Sequence, residues 1–278
     1  MLKKTLKKLI AFSLVVGTLA TFTGCGNKNN GGNTAQNNSQ SEVMQRIKKN
    51  GKLVIGTSAD YPPYEFHKSI NGKDEIVGFD IEIAQQIAKD LGVQLEKKDM
   101  KFDGLLAALN EGKVDMVISG MTPTPERAKN VDFSNVYYTA VQTIVVRTAD
   151  KDKIKSTNDL NGKKIGVQKG SIQEDIAKEQ VSGAQAIALG KISDLMLALK
   201  SNRIEAAIVE SPVAVSNINA NKDLVISDIK LNTEEAGSAV AIKKGTPDLV
   251  QEVNKTLDKL KKDKSIDKFV TDATNLVE

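Results

Sequence analysis

The chain states one phrase twice, and that repeat limits the folds open to it. FDGLLAALNEGKVDMVISG (102–120) aligns without a gap on ISDLMLALKSNRIEAAIVE (192–210), ninety positions later. Leu105/Leu195, Ala108/Ala198, Leu109/Leu199 and Ile118/Ile208 are identical, and Lys113/Arg203, Val114/Ile204 and Asp115/Glu205 keep their chemistry. A similar strand start stands upstream of each copy, KLVIGTS (52–58) and KKIGVQKGS (163–171). One repeat of this length is no solenoid; it points to two lobes of related α/β design. The competing explanation is ordinary helix–strand grammar matching by chance.

LVIGT (53–57) and MVIS (116–119) are short apolar runs bounded by turn residues, as buried parallel strands are. Between them Ile83, Ile87 and Leu91, with Ala84 and Ala88, form an apolar stripe at helical spacing. Asp80 is placed to cap that helix and Gly92 to end it. Leu105, Leu106 and Leu109 predict a second short helix stopped near Gly112. Open parallel sheets bind ligands beyond the carboxyl ends of their strands. Those ends are 57–61, 119–122, 168–172 and 209–211, and two facing lobes would bring all four to one cleft.

With 278 residues, 40% hydrophobic and 27% charged, the chain has room for two average domains. A single cysteine excludes a disulfide framework and a cysteine-rich zinc site. A single histidine, His67, argues against histidine metal sites and reads as a surface residue, so neither metal nor cofactor is expected. Basic side chains number 39 and acidic ones 35, but residues 1–24 hold four lysines and no acid. Without that segment the charges balance, which removes the case for nucleic-acid binding.

That segment has a basic start and then about fourteen mostly apolar residues, too few to span a membrane, so it reads as an export signal. Phe22-Thr23-Gly24-Cys25 resembles the bacterial lipobox, which implies lipidation of Cys25 and attachment to the outer face of a cell membrane. Residues 26–41 are nearly all Asn, Gly, Gln and Ser and predict a flexible tether.

The body carries longer phrases. GTSADYPPYEF (56–66), VGFDIEIAQQIAKDLG (77–92), SGMTPTPER (119–127) and VDFSNVYYTA (131–140) are similar to those of solute-binding proteins of polar amino-acid ABC importers, as are QKGSIQE (168–174) and VESPVA (209–214). The resemblance implies an α/β, two-lobed type II periplasmic-binding-protein fold, each lobe a mixed sheet flanked by helices, with two hinge crossovers. It divides the chain into a signal peptide (1–24), lipidated cysteine and tether (25–44), lobe 1 (45–140 with 238–278) and lobe 2 (141–237). The final helices would pack on lobe 1.

Carried onto these positions, the resemblance assigns Arg127 to the ligand α-carboxylate, which a guanidinium grips with two parallel hydrogen bonds. Backbone N–H groups where Thr124 and Pro125 start a helix could add to that anion site. Glu210 would take the α-ammonium. Ser119, Gly120 and Thr122 match head-group contacts, and Gln168, Ser171 and Ile172 the clamp of the second lobe. Tyr61 and Phe102 would wall the side chain, whereas Tyr64, Phe66, Phe79 and Phe133 read as core. Residues 139–268 contain no aromatic side chain, so ring contacts must come from lobe 1. Asp60 and Glu210 put two acids near the cleft, one of them left over for a cationic side chain, whereas Ser58 is uncharged where some basic-amino-acid binders of this family carry an acid; arginine or lysine is favoured, with glutamine and cystine open. The implied partners are an L-amino acid and permease subunits with a cytoplasmic ATPase, and a monomer is expected. A dehydratase of cyclohexadienyl or arogenate type on the same fold, with Glu210 as general acid, and a ligand-sensing lipoprotein are the alternatives.

Overall fold

The computed structural model describes residues 40–233 and 236–277. The expected signal segment, Cys25 and the tether up to residue 39 lie outside the described residues. Helix α1 (Glu42–Asn50) opens the body, and its first turn is capped by Ser41, whose hydroxyl accepts the Met44 N–H. Val43, Met44 and Ile47 bury its apolar face. The tether, expected to reach residue 44, therefore ends before Glu42.

Next come β1 (Lys52–Thr57), β2 (Asp60–Tyr61), β3 (Glu65–Ile70), β4 (Lys73–Val77), α2 (Phe79–Asp90) and β5 (Gln94–Asp99). They are followed by α3 (Leu105–Asn110), β6 (Met116–Val117), α4 (Pro125–Ala128) and β7 (Val131–Phe133). From β8 (Tyr138–Ala140) the chain crosses to β9 (Gln142–Arg147), β10 (Lys164–Gln168), α5 (Gln173–Gln180) and β11 (Gln185–Leu189). There α6 (Ile192–Lys200), β12 (Ala206–Glu210), α7 (Ser211–Ala220) and β13 (Leu224–Ile226) complete a second lobe. It returns through β14 (Ala236–Ser238) to β15 (Ala241–Lys243), α8 (Pro247–Lys262) and α9 (Ser265–Val277).

The two main sheets are ordered β5-β1-β6-β15-β7 and β11-β10-β12-β9-β13. In each, the first three strands are parallel and the last two run antiparallel to their neighbours. The repeated phrase is thus one topology built twice. Each lobe borrows its fourth strand from a chain segment next to a crossover. The crossing segments β8 and β14 pair antiparallel, Tyr138 opposite Ser238.

Packing repeats along with topology. Gly56 sits in β1 against Leu105 and Val114, and Gly166 in β10 against Leu195 and Ile204, the same two positions ninety residues on. Gly112 and Asn202, at equivalent turns, both have left-handed backbones (φ 73° and 58°). A Cβ on Gly166 would lie 2.3 Å from Ile204 Cδ1 and 2.4 Å from Leu195 Cδ1. Gly166→Ala forces both terminal methyls to shift within a packed core, so chemical denaturation is expected to show a loss of about 1–3 kcal/mol. Gly56→Ala, where the nearest atom would be 3.2 Å away, is expected to cost less.

Helix α2 begins two residues earlier than Asp80 as a cap requires. Gly78 is its N-cap, with φ 126°, and a Cβ there would lie 2.1 Å from the Tyr64 carbonyl oxygen. The Phe79 and Asp80 N–H groups donate to the carbonyls of Pro63 and Tyr64 (3.1 and 3.0 Å), so the loop before β3 caps the helix. Asp80 is released from capping and turns inward. The C-terminal helices α8 and α9 pack on α2 through Leu249, Val253, Leu257, Leu260, Ile266 and Ala273. Their lysines face outward. No helix among the described residues is long and apolar enough to cross a membrane.

Candidate ligand-binding cleft

The carboxyl ends of β1, β6, β10 and β12 meet between the lobes. Tyr61, Phe102, Ser119, Gly120, Thr122 and Arg127 line one wall of the cleft, and Gln168, Ser171, Ile172, Gln173 and Glu210 the other, and the nearly closed lobes leave a cavity of about 10 Å³ between them. A more open depression lined by Asn50, Lys52, Lys89 and Gln94 lies at the opposite, amino ends of β1 and β5. It contains no buried polar group, so the chemistry is at the cleft.

Arg127 stands in the short helix α4, whose N-cap Thr124 accepts the Arg127 N–H (3.3 Å). That amide is therefore spent on the cap, which leaves the Glu126 N–H as the amide of this helix start without an acceptor among the described residues. The guanidinium donates to the Thr122 carbonyl (2.7 Å) and, across the cleft, to the Gly170 carbonyl (2.9 Å), and lies 5.4 Å from the Phe102 ring centroid. Burial lowers its pKa to about 10, with Asp175 acting weakly the other way. No carboxylate pairs with it among the described residues. Around it are further unused donors. The Gln168 side-chain N–H₂ is buried without an acceptor, and the Ile172 and Gln173 amides at the start of α5 have none among the described residues.

The other end is acidic. Glu210, 2% exposed at the end of β12, accepts the Tyr64 hydroxyl and, at 3.5 Å, the Gln142 amide. Burial pushes its carboxyl up to about 7, against those hydrogen bonds. Behind the Ser119–Gly120 turn are Glu65 and Asp80, both fully buried. None of the ion pairs among the described residues involves Glu65, Asp80 or Glu210. No cluster of three or more His, Cys, Asp or Glu side chains suited to a metal ion occurs among those residues.

Ten of the twelve positions expected from sequence meet here. Ser58 and Asp60 do not. They line a neighbouring cavity with His67, Asp99, Lys101 and Lys191. Asp60 accepts the Ile192 N–H at the start of α6 in the other lobe (2.7 Å) and the Ser58 hydroxyl (3.2 Å). Two residues of turn after β1 rotate these side chains away, so Asp60 ties lobe to lobe instead of facing the cleft. Ser119 lines the cleft, yet its hydroxyl donates inward to Glu65 (2.5 Å) and accepts the Ser58 N–H (3.1 Å). The sequence reading missed Gln173, which donates to Gln142 (2.8 Å), and treated Tyr64 as core alone. Tyr64 is core, 0% exposed, but its hydroxyl crosses to Glu210. The position of Gln173 next to Ile172 at a helix start was the available signal.

Two lobes of repeated topology, joined by paired crossovers around a cleft that sets a half-buried guanidinium against a buried carboxyl group, define a binding protein that closes on a small ligand. Residues 53–272 match the model of bacterial extracellular solute-binding proteins, family 3, and the chain belongs to that family. It is 43% identical over 264 residues to the arginine-binding extracellular protein ArtP of Bacillus subtilis, covering 92% of this chain and 94% of that one. It is 31% identical to the glutamine-binding protein GlnH of the same organism, over 95% of this chain and 96% of that one. Among solved structures, the amino-acid ABC transporter substrate-binding protein AbpA of Streptococcus pneumoniae, bound to L-arginine, superposes with a TM-score of 0.81 at 42% identity. The match covers 84% of this chain and 98% of that one. The chain is accordingly an extracytoplasmic solute-binding component of an amino-acid ABC importer, and not a dehydratase.

Proposed function

We propose that the cleft holds the zwitterionic head group of an L-amino acid with a cationic side chain, arginine in the first place, and hands it to the permease when the lobes reopen. The observation that carries this is the mismatch of charge: a half-buried guanidinium held by carbonyls and without a carboxylate at one end, buried carboxyls without a cation at the other. An α-carboxylate and an α-ammonium complete both sets. Arg127, the Gln168 amide and the first amides of α5 take the carboxylate, and Glu210 takes the ammonium. Glu210 and Arg127 are the one acid and the one base lining the cleft, and the charge held by Asp80 behind the Ser119–Gly120 turn tips the balance toward a ligand of net positive charge. The Tyr61 and Phe102 rings supply faces for its side chain. The naming of relatives for arginine agrees.

Lobe 1 (45–140 with 238–278) and lobe 2 (141–237) turn about the β8–β14 pair, and ligand binding shifts the open–closed balance. Cys25 carries the lipid that keeps this monomer at the cell surface beside its permease. Calorimetric titration of the full chain, freed of bound ligand by unfolding and refolding, is expected to give the tightest binding with arginine, then lysine, with glutamine and cystine weaker. Equal affinity for glutamine and arginine would remove the charge argument. Cys25→Ser is expected to move the protein from the detergent phase to the aqueous phase on phase partitioning; unchanged partitioning would exclude the anchor.

A further inference from the structure

The Ser119–Gly120 turn is held from behind by two carboxyl groups that do not reach the cleft. Gly78 lets α2 start hard against residues 63–64, and this docking brings Asp80 beside Glu65. Asp80 Oδ2 accepts two donors, the Gly120 N–H at 2.8 Å and the Tyr137 hydroxyl at 2.9 Å. Glu65 Oε1 accepts the Ser119 hydroxyl, which itself accepts the Ser58 N–H. The remaining oxygens, Glu65 Oε2 and Asp80 Oδ1, are buried and receive no donor, while the two carboxyl groups lie within hydrogen-bonding reach of each other. Two touching carboxylates cannot both ionise without a cation, and none is paired with them among the described residues.

We propose that Glu65 and Asp80 share one proton between these two unpartnered oxygens and that this closed pair positions the Ser119–Gly120 turn for the ligand head group. Asp80, with two donors on its other oxygen, keeps the negative charge. Glu65 carries the proton and donates it to Asp80 Oδ1. The hydrogen bonds then form one directed chain, from the Ser58 amide through Ser119, Glu65 and Asp80, where the Gly120 amide and the Tyr137 hydroxyl also end. The Ser119 hydroxyl and the Gly120 N–H are consumed within it. The turn can therefore offer the ligand acceptors but not those two donors, which suits an ammonium and repels a second carboxylate. Both acids are positioning residues, since neither lines the cleft.

The groups facing the pair give the direction of its pH dependence. Burial first, then Asp80, push Glu65 well above the usual carboxylate range, and Asp60 adds in the same sense, with the Ser119 hydroxyl opposing. Asp80 is raised by burial against the Gly120, Tyr137 and Glu65 hydrogen bonds. Asp80 also raises Glu210 across the cleft, and the Tyr61, Tyr64 and Tyr137 phenols are all pushed up and remain neutral. A proton is thus held in the folded protein that the unfolded chain releases near pH 4.3. Its stabilising effect is complete below that value and is lost as pH rises through the raised folded value. Above it the bridge breaks and the turn loosens.

This rests on the cleft being the amino-acid site, and the test separates the two claims. Infrared spectroscopy of the ligand-free wild type at about pH 8, where an ordinary carboxyl is ionised, is expected to show a protonated carboxyl band that Glu65→Gln removes. Arginine titrations across pH are expected to show Glu65→Leu weakened by about tenfold or more, as losing a buried hydrogen-bonded charge relay costs. Glu65→Gln keeps an acceptor for Ser119 and a donor for Asp80, so it is expected to rescue binding and abolish the alkaline loss seen in wild type. The double variant Glu65→Gln/Asp80→Asn sets two amide donors against each other and is expected to bind worse than the two single effects combined. A missing infrared band, or an alkaline profile unchanged in Glu65→Gln, overturns the shared proton. Wild type that binds no amino acid while showing the band overturns the reading of the cleft instead.

Discussion

Arg127→Ala is expected to weaken amino-acid binding by about 2–5 kcal/mol, the usual result of truncating one member of a buried charge pair. At 1.4 kcal/mol per decade this is a loss of roughly thirtyfold to several thousandfold in Kd, read by calorimetry. In the ligand-free protein Arg127 is held by neutral carbonyls, so its charge has no internal partner to lose. Thermal stability without ligand should therefore change far less than affinity. Arg127→Lys is expected to recover only part of the binding, because an ammonium cannot make the two parallel bonds of a guanidinium. Affinity unchanged in both variants would place the carboxylate elsewhere.

A pH effect of opposite sign on binding and on stability is expected at Glu210. Burial raises this carboxyl to about 7 in the ligand-free protein, well above its value near 4.3 in an unfolded chain. The folded state therefore holds a proton that the unfolded state has lost. The stabilising contribution is full below about pH 4.3 and disappears as pH rises through about 7. Binding runs the other way, because an ammonium needs the ionised carboxylate. Affinity should fall by up to about tenfold per pH unit below 7, with protons released on binding. Calorimetry in two buffers of different ionisation enthalpy counts those protons. Glu210→Gln is expected to flatten this neutral-range profile and to cost about 2 kcal/mol or more at pH 8, since a buried ammonium then lacks its counter-charge. A variant that keeps the wild-type slope would assign the titration to another group.

The ligand-side residues were legible because they sit where short apolar strands end, and strand ends in parallel sheets converge on one edge. Arg127, Glu210, Tyr61 and Gln168 could be placed by that rule together with the family phrases. Asp60 and Ser58 also follow a strand, but a strand end says nothing about which way the next two side chains rotate. Here the Asp60 carboxylate finds the unpaired amides of α6 in the other lobe, a partner 132 positions away in the chain. Asp80 was read as a local cap because its spacing from the apolar stripe fitted one. Tertiary docking of residues 63–64 on the helix start supplied the cap instead, and the freed carboxylate found Gly120.

By itself the sequence determined what is local or periodic: the two related halves, the helix and strand spacings, the glycines that end α2 and α3 and the residue types available for a zwitterion. It could do so because hydrophobic period and backbone preference act over a few residues and leave their mark in composition. The tertiary structure alone decided how the fourth strand of each sheet is borrowed from beside a crossover and which acids face the ligand. It also decided that Glu65, Asp80 and Glu210 are buried with no cation among the described residues. Those outcomes depend on contacts between positions far apart in the chain, where the cost of burying a charge is set by everything packed around it.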